Sequence, residues 1–460
     1  MPGVACWLPD NELKFSNLPA SHMKIPAPLS YRLPLSWGLF IACLLCCIGC
    51  HHPVSLQKER SLQSLLDEKE YFKLRTALAR NEDSISEDRS RWFHAFTDNA
   101  FNRNTASSIH IRALLKEDAA ILPDSLKARL LMLETDNEFK TFQYARAAAT
   151  GDELIRRYRH AVDSSTYADI KNTSIINNAL AAEPAQEVVL PGSAVIPWKK
   201  DTIGLMEIPL STGDSVYQSI FDTRANISSI SATYAKKLGL TLLNVYYQEE
   251  SGITGARFQC SLGIADSLRL GNILFRHVVF QVMPDSVLYL APIHFYLNII
   301  IGYPVIAQLK EIHIFRNGSM TIPANPSEAN LNNLALDGLN PIVSCAIGTD
   351  TLSFEFDTGA SSSDLFDNYF RKYKTAVTQH GKPTTIRLGG AGGVTQKKVY
   401  EITDLKLRIG SKTVTLPKVS VHVDPIPNII DKFYGNLGQD IISQFPEMIL
   451  NFESMYLDFK

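Results

Sequence analysis

Cysteine and histidine are scarce, at seven and 11 of 460 positions, and no Cys/His group has metal-site spacing, which argues against a zinc-built module. The glycine-dense stretch Gly389-Gly390-Ala391-Gly392-Gly393 is not followed by Gly-Lys-Ser/Thr, so it does not read as a phosphate-binding loop. Neither sign of charge is in excess: the formal net charge is −2, which argues against a basic surface for nucleic acid. The apolar run from Leu35 to Ile48 falls short of the roughly 20 residues that an ordinary membrane-spanning helix needs. Nothing here calls for a cofactor, a metal ion or a nucleic-acid partner.

What the chain does have is an internal repeat. Phe221-Asp222-Thr223-Arg224-Ala225 and Phe356-Asp357-Thr358-Gly359-Ala360 are copies of one phrase, and the shift of 135 that carries residue 222 to 357 also lays Gly213 on Gly348, Leu210 on Cys345 and Tyr217 on Leu352. Leu352-Ser353-Phe354-Glu355-Phe356 alternates apolar and polar, the pattern of a half-buried strand, and Gly213 and Gly348 fall where a hairpin turn would precede it. After the first phrase, Ser231 can cap a short helix that Gly239 ends. Leu270-Gly271-Asn272 and Ile409-Gly410-Ser411 read as matching hairpin turns leading into strands at Val278 to Val282 and Val419 to Val423. Asn317-Gly318, between Ile312 to Phe315 and Met320 to Ile322, predicts a tight type I′ hairpin, and Met448 to Phe459 repeats that strand composition.

Two carboxylates about 3 Å apart can share one proton, so that one takes a proton from water while the other hydrogen-bonds a scissile carbonyl. On the paired Asp-Thr phrases, residues 195 to 460 resemble the retropepsin-like aspartic proteases, in which Asp-Thr-Gly-Ala lies on a loop leaving a strand and a later apolar-apolar-Gly segment supports that loop. The supporting segments here are Ile300-Ile301-Gly302 and Asn436-Leu437-Gly438. The resemblance implies two β lobes facing each other across a cleft for a peptide or protein substrate. It makes Asp222 and Asp357 the catalytic pair, has Thr223 and Thr358 brace the two loops, and gives Gly359, Gly302 and Gly438 the supporting role. No cofactor is needed for that chemistry. Two glycine stretches fit the flap role, with Gly252 and Gly255 in the first copy and Gly390 and Gly392 in the second. Neither contains the tyrosine of pepsin-like flaps, which favours the retropepsin type.

One departure stands out: Arg224 occupies the position of the motif glycine in the first copy. A guanidinium facing the pair would favour the doubly ionised state, weaken proton sharing, and leave a non-catalytic peptide-binding module as one alternative. In that case Arg224→Gly should raise activity. An outward Arg224 would pair with an acidic residue on the rim. A homodimer using only the second lobe is the other alternative.

At the front, Lys24 and Arg32 precede the apolar run, and Cys47-Ile48-Gly49-Cys50 resembles a bacterial lipoprotein signal cleaved before a lipidated Cys50, although Cys47 stands where leucine is usual. Met23 is the better start. A plain secretory signal or an uncleaved anchor remains open, and each exports the protein; with Cys50 lipidated, the location is membrane-anchored at the bacterial cell envelope. The leader would remove four cysteines and lipid would occupy Cys50, leaving Cys260 and Cys345 as one disulfide or, the favoured reading, two small hydrophobes.

The expected class is α+β multidomain: a leader over 1–50, a helical-hairpin (tetratricopeptide-like) region over 51–165, a linker over 166–200, and two all-β lobes over 201–325 and 326–460. Leu62, Leu65, Leu66 and Leu78 mark one helical stretch, Pro123-Asp124-Ser125 opens another, and Phe139 to Tyr158 a third. No strict 34-residue period appears. This region would space the β lobes from the membrane or hold a protein partner.

Overall fold

The computed structural model describes residues 53–117, 122–426 and 432–460; the leader and Cys50 lie outside them. Among the described residues seven helices come first: α1 (Pro53–Asp67), α2 (Tyr71–Asn81), α3 (Glu87–Ala100), α4 (Asn104–Glu117), α5 (Asp124–Lys140), α6 (Tyr144–Tyr158) and α7 (Ser164–Leu180). None of the described helices is long and apolar enough to cross a membrane.

Three of the turns between these helices are built alike. Lys69, Asn102 and Phe142 adopt φ of 52°, 58° and 57°, and the following residue reaches back five positions: Glu70 N to Leu65 O (2.9 Å), Arg103 N to Asp98 O (2.7 Å), Gln143 N to Glu138 O (2.8 Å). This is the left-handed helix end that normally recruits glycine. Here Lys, Asn and Phe take it, at a cost of roughly 1–2 kcal/mol each, so the turns carry no glycine signal. Their unequal spacing, at 69, 102 and 142, accounts for the missing period.

The stretch 166–200, expected to be a linker, is largely regular structure. Asp163 caps α7 by accepting from Ser165 N and Thr166 N, and Ile170, Ile176 and Leu180 bury the helix against its neighbours. Beyond it, Glu187–Val189 pairs with Ile273–Met283, and Ala194–Pro197 with Ser319–Ile322.

The two β units follow one plan. Met206–Thr212 and Ser215–Phe221 form a hairpin around Gly213 (φ 53°), matched by Asn340–Ile347 and Asp350–Phe356 around Gly348 (φ 58°). The long hairpins Arg257–Leu270 with Ile273–Met283, and Gly393–Ile409 with Lys412–His422, turn at Gly271 (φ 60°) and Gly410 (φ 57°). Ser231 caps Ala232–Lys237 by accepting from Tyr234 N. A five-stranded sheet joins the units, in the order Ala194–Pro197, Ser319–Ile322, Glu311–Phe315, Glu447–Asn451, Tyr456–Phe459.

Two local expectations fail. Phe315 pairs with Ser319, leaving a three-residue loop in which Gly318 (φ 91°), but not Asn317, takes positive φ, and Gly318 N reaches Phe315 O at 3.2 Å. That is a type I turn with a glycine bulge rather than type I′. The strand Asp350–Phe356 is buried on both faces, including Ser353 and Glu355, because strands flank it on both edges and packing covers its second face.

One apolar core runs from Leu62 and Trp92 in the helices through Phe221, Phe356 and Phe459 in the β units. Polar ties reinforce the joint: Tyr71 Oη donates to Asp337 (2.5 Å), Asn102 Nδ2 to Phe452 O (2.8 Å) and Asn172 Nδ2 to Gln248 O (2.8 Å). The helical layer therefore packs directly on the β structure.

Candidate active site

Each aspartate follows the last residue of an interior strand, and its position is set by a parallel partner. Ile300 and Ile301 pair with Ile220 and Phe221, and Asn436 and Leu437 with Glu355 and Phe356. The ladder continues into the loops: Asp222 N donates to Ile301 O (3.0 Å) and Asp357 N to Leu437 O (2.9 Å). Gly302 and Gly438 then admit the loops at contact distance. A Cβ on Gly302 would sit 2.3 Å from Ala225 O, and one on Gly438 2.6 Å from the carbonyl carbon of Ser362. Their amides are held by Ser228 Oγ (3.1 Å) and Ser363 Oγ (3.0 Å).

The two loops are joined by their threonines in a reciprocal pattern. Thr223 N donates to Thr358 Oγ1 (3.0 Å) and Thr358 N to Thr223 Oγ1 (3.1 Å). In turn Thr223 Oγ1 donates to Phe356 O (2.9 Å) and Thr358 Oγ1 to Phe221 O (2.7 Å). Both side chains are fully buried. Every bond crosses from one β unit to the other, so the loops are fixed back to back within one chain.

Both carboxyls touch Gly359. Asp222 Oδ1 accepts from Arg224 N (2.8 Å) and Ala225 N (3.1 Å), while Asp357 Oδ1 accepts from Gly359 N (2.7 Å). A Cβ on Gly359 would lie 2.3 Å from Asp222 Cγ, so the Asp222 carboxyl rests against this glycine. Burial, with the charge of Asp357 adding to it, pushes the Asp222 carboxyl up to about 7. A carboxyl kept protonated to near neutrality by burial and by a second carboxyl beside it is an arrangement able to give and take a proton.

Arg224 does not point outward to the rim. Its Nη2 lies 2.9 Å from Oε2 of Glu355 and its Nη1 3.8 Å from Oδ2 of Asp357. Burial works against its charge, but Glu355, Asp357 and Asp222 outweigh that and raise the guanidinium further above its ordinary value. Glu355 is wholly buried; burial pushes it up to about 7, against the pull of Arg224. Sequence reasoning missed Glu355 because the strand alternation placed it on a wet face. Comparing the copies would have found it: Ile220 is its counterpart, just as Gly359 is the counterpart of Arg224. Asn436 was also missed, with Nδ2 at 3.4 Å from Asp357 Oδ2, as was the buried His422, whose Nε2 lies 2.8 Å from Oδ2 of the half-buried Asp364.

The glycine stretches meet at their tips. Ser251 Oγ donates to Ala391 O (2.6 Å), Thr254 Oγ1 to Gly392 O (3.3 Å), and Gly392 N to Val287 O (2.8 Å). Gly255 (φ 69°) and Gly392 (φ 89°) supply the turns, and a Cβ on Gly390 would lie 2.7 Å from Ile253 Cδ1. Gly252 sits buried at the start of the first tip. Cys260 and Cys345 are unpaired and buried. Among the described residues, His94, Asp98 and His110 bring ligand atoms within 4.8 Å of one another on α3 and α4, a grouping without a sequence signature. Arg103 occupies Asp98 there, and Glu82 lies 3.1 Å from His94.

Comparison with known proteins agrees with this geometry over part of the chain. A model of the aspartyl protease family matches residues 208–305, a span containing Asp222, Arg224 and Gly302. No curated protein matches the chain.

Proposed function

We propose that this chain is an aspartic-type endopeptidase made of two tandem retropepsin-like lobes, with Asp222 and Asp357 as its catalytic pair. The observation that carries the reading is the reciprocal Thr223–Thr358 bonding, which holds the two aspartate loops together while the Asp222 carboxyl rests on Gly359. The family match over 208–305 supports the first lobe, and the shared strand plan extends the reading to the second.

In the proposed reaction one carboxyl is ionised and the other protonated. The ionised carboxylate takes a proton from a water molecule as its oxygen attacks the peptide carbonyl carbon, and the other carboxyl gives its proton to the carbonyl oxygen. Collapse of the tetrahedral diol breaks the C–N bond: a carboxyl-held proton passes to the departing nitrogen, and one diol hydroxyl gives its proton to the other carboxylate as the C=O re-forms, restoring one proton on the pair. The touching tips of 251–254 and 390–393 are assigned to closing over the peptide and excluding water. Cys50 is assigned to lipidation of an exported, envelope-anchored protein, and the helical layer to spacing the β units from the membrane or holding a partner or substrate there.

Peptide capture without turnover is the second reading, favoured by the guanidinium 3.8 Å from Asp357. Incubation of the full chain with a mixed peptide library, read by mass spectrometry against Asp357→Asn, separates the two. New termini that vanish in the variant support the endopeptidase. Binding without cleavage supports the capture module.

A further inference from the structure

The two β units differ most consequentially at two positions around their aspartates. In the first unit the residue two after the aspartate is Arg224, where the second has Gly359; in the second unit the residue two before it is Glu355, where the first has Ile220. One unit has gained a cation and the other an anion, and the fold brings the two into contact at 2.9 Å.

We propose that Glu355 is a positioning residue that holds the Arg224 guanidinium and cancels its charge, so that Asp222 and Asp357 retain one proton between them. The proposal rests on reading the aspartates as a catalytic pair. Two carboxyls with one shared proton carry a charge of −1. Adding Arg224 alone makes the group neutral and draws the proton off; adding Glu355 in its ionised form, toward which the guanidinium at 2.9 Å pulls it against burial, restores −1. The geometry favours this division of labour, since Arg224 contacts Glu355 directly and stands off from Asp357 at 3.8 Å. Arg224 is the ion-pair partner the structure gives Glu355, neither of whose carboxyl oxygens is hydrogen-bonded. A carboxylate with no exposed surface and one ion-pair partner is costly to strand.

The other charged groups around Glu355 do not replace that partner. Asp337 is engaged by Lys69 and Tyr71, and Asp364 by His422. Asn436, opposite Glu355 on the parallel strand, turns its Nδ2 to Asp357. Arg224→Gly alone therefore does not relieve the site, contrary to what the motif suggests, because it leaves Glu355 unpaired beside Asp357. The change that reproduces both symmetric halves is Arg224→Gly with Glu355→Ile.

The test is the titration of the Asp222 carboxyl, followed by carbon-13 NMR of aspartate-labelled protein with Asp222→Asn for assignment. Four proteins are compared: wild type, Glu355→Gln, Arg224→Gly and the double variant. Glu355→Gln leaves the cation uncompensated, so the Asp222 midpoint falls by about 1 unit or more. Arg224→Gly leaves the anion uncompensated, so it rises by a similar amount. In the double variant the midpoint returns close to wild type, and the thermal midpoint exceeds that of Arg224→Gly. Single variants that shift the midpoint in the same direction or not at all, or a double variant less stable than Arg224→Gly, would overturn the proposal. If Glu355→Gln fails to fold, Arg224→Gly and the double variant still decide it. Opposed shifts in a protein that cleaves no peptide uphold the charge compensation and refute the endopeptidase reading. Cleavage with unshifted midpoints does the reverse.

Discussion

Thr358→Val is the sharpest probe of how the two β units are held in one arrangement. Valine keeps the side-chain shape, so no cavity opens, but it removes the acceptor of Thr223 N at 3.0 Å and the donor to Phe221 O at 2.7 Å. Thr358 is fully buried, and water does not replace what is lost. Each of the two stranded backbone groups costs about 1–3 kcal/mol, so the variant is expected to lose about 2–6 kcal/mol. Thr358→Ser keeps the hydroxyl and gives up one methyl group, for about 1 kcal/mol. Urea unfolding of the full chain measures this as a lower midpoint at unchanged slope. Thr223→Val should match Thr358→Val, since Thr223 makes the same two kinds of bond to Thr358 N and Phe356 O. A loss below about 0.5 kcal/mol for Thr358→Val, with serine equally tolerated, would refute the argument that these hydroxyls carry the joint.

Gly359→Ala places a methyl group 2.3 Å from Asp222 Cγ and must displace that carboxyl. Because misplacing a reacting group by about 1 Å costs on the order of 100-fold, kcat/KM should fall by that factor while the protein stays folded. With Asp222 pushed up to about 7, the alkaline limb of the pH–rate profile should fall as pH rises through about 7 and the shared proton is lost, which initial rates from pH 4 to 9 would show. Asp163 caps α7, so Asp163→Ala should cost about 1 kcal/mol in thermal or urea unfolding. Burial works against its ionised form, but hydrogen bonds from Ser165 and Thr166 outweigh it and hold the carboxyl at about 2. Its folded value is depressed, so its contribution is complete above the ordinary carboxylate range and lost as pH falls toward 2; Asp163→Asn should flatten that part of the stability profile.

The features legible in the sequence were those where one residue type answers one backbone demand. Gly213, Gly348, Gly271 and Gly410 sit at positive φ in hairpin turns, Gly302 and Gly438 admit a passing loop, and Ser231 caps a helix. What was illegible depended on context that alternation and turn chemistry do not carry. Glu355 looked like a solvent-facing strand residue because the alternation rule assumes one wet face, which an interior strand lacks. The helix-ending turns at Lys69, Asn102 and Phe142 put residues other than glycine into a left-handed conformation, so no glycine marks them. The polar sequence of α7 hid a helix whose Ile170, Ile176 and Leu180 find cover only in the assembled layer. Arg224 was visible as a departure, but its direction was not, because its partner lies in the other copy of the repeat.

The central claim is that one chain holds one catalytic centre, built from Asp222 and Asp357 together. Its most direct test is kcat/KM for a peptide the wild type cleaves, measured for Asp222→Asn, for Asp357→Asn and for an equal mixture of the two. The account predicts that each variant loses at least about 1,000-fold and that mixing restores nothing, since each chain lacks one half of its own pair. Wild-type turnover by Asp222→Asn, with loss confined to Asp357→Asn, would contradict it and place the chemistry in a centre that does not need the first loop.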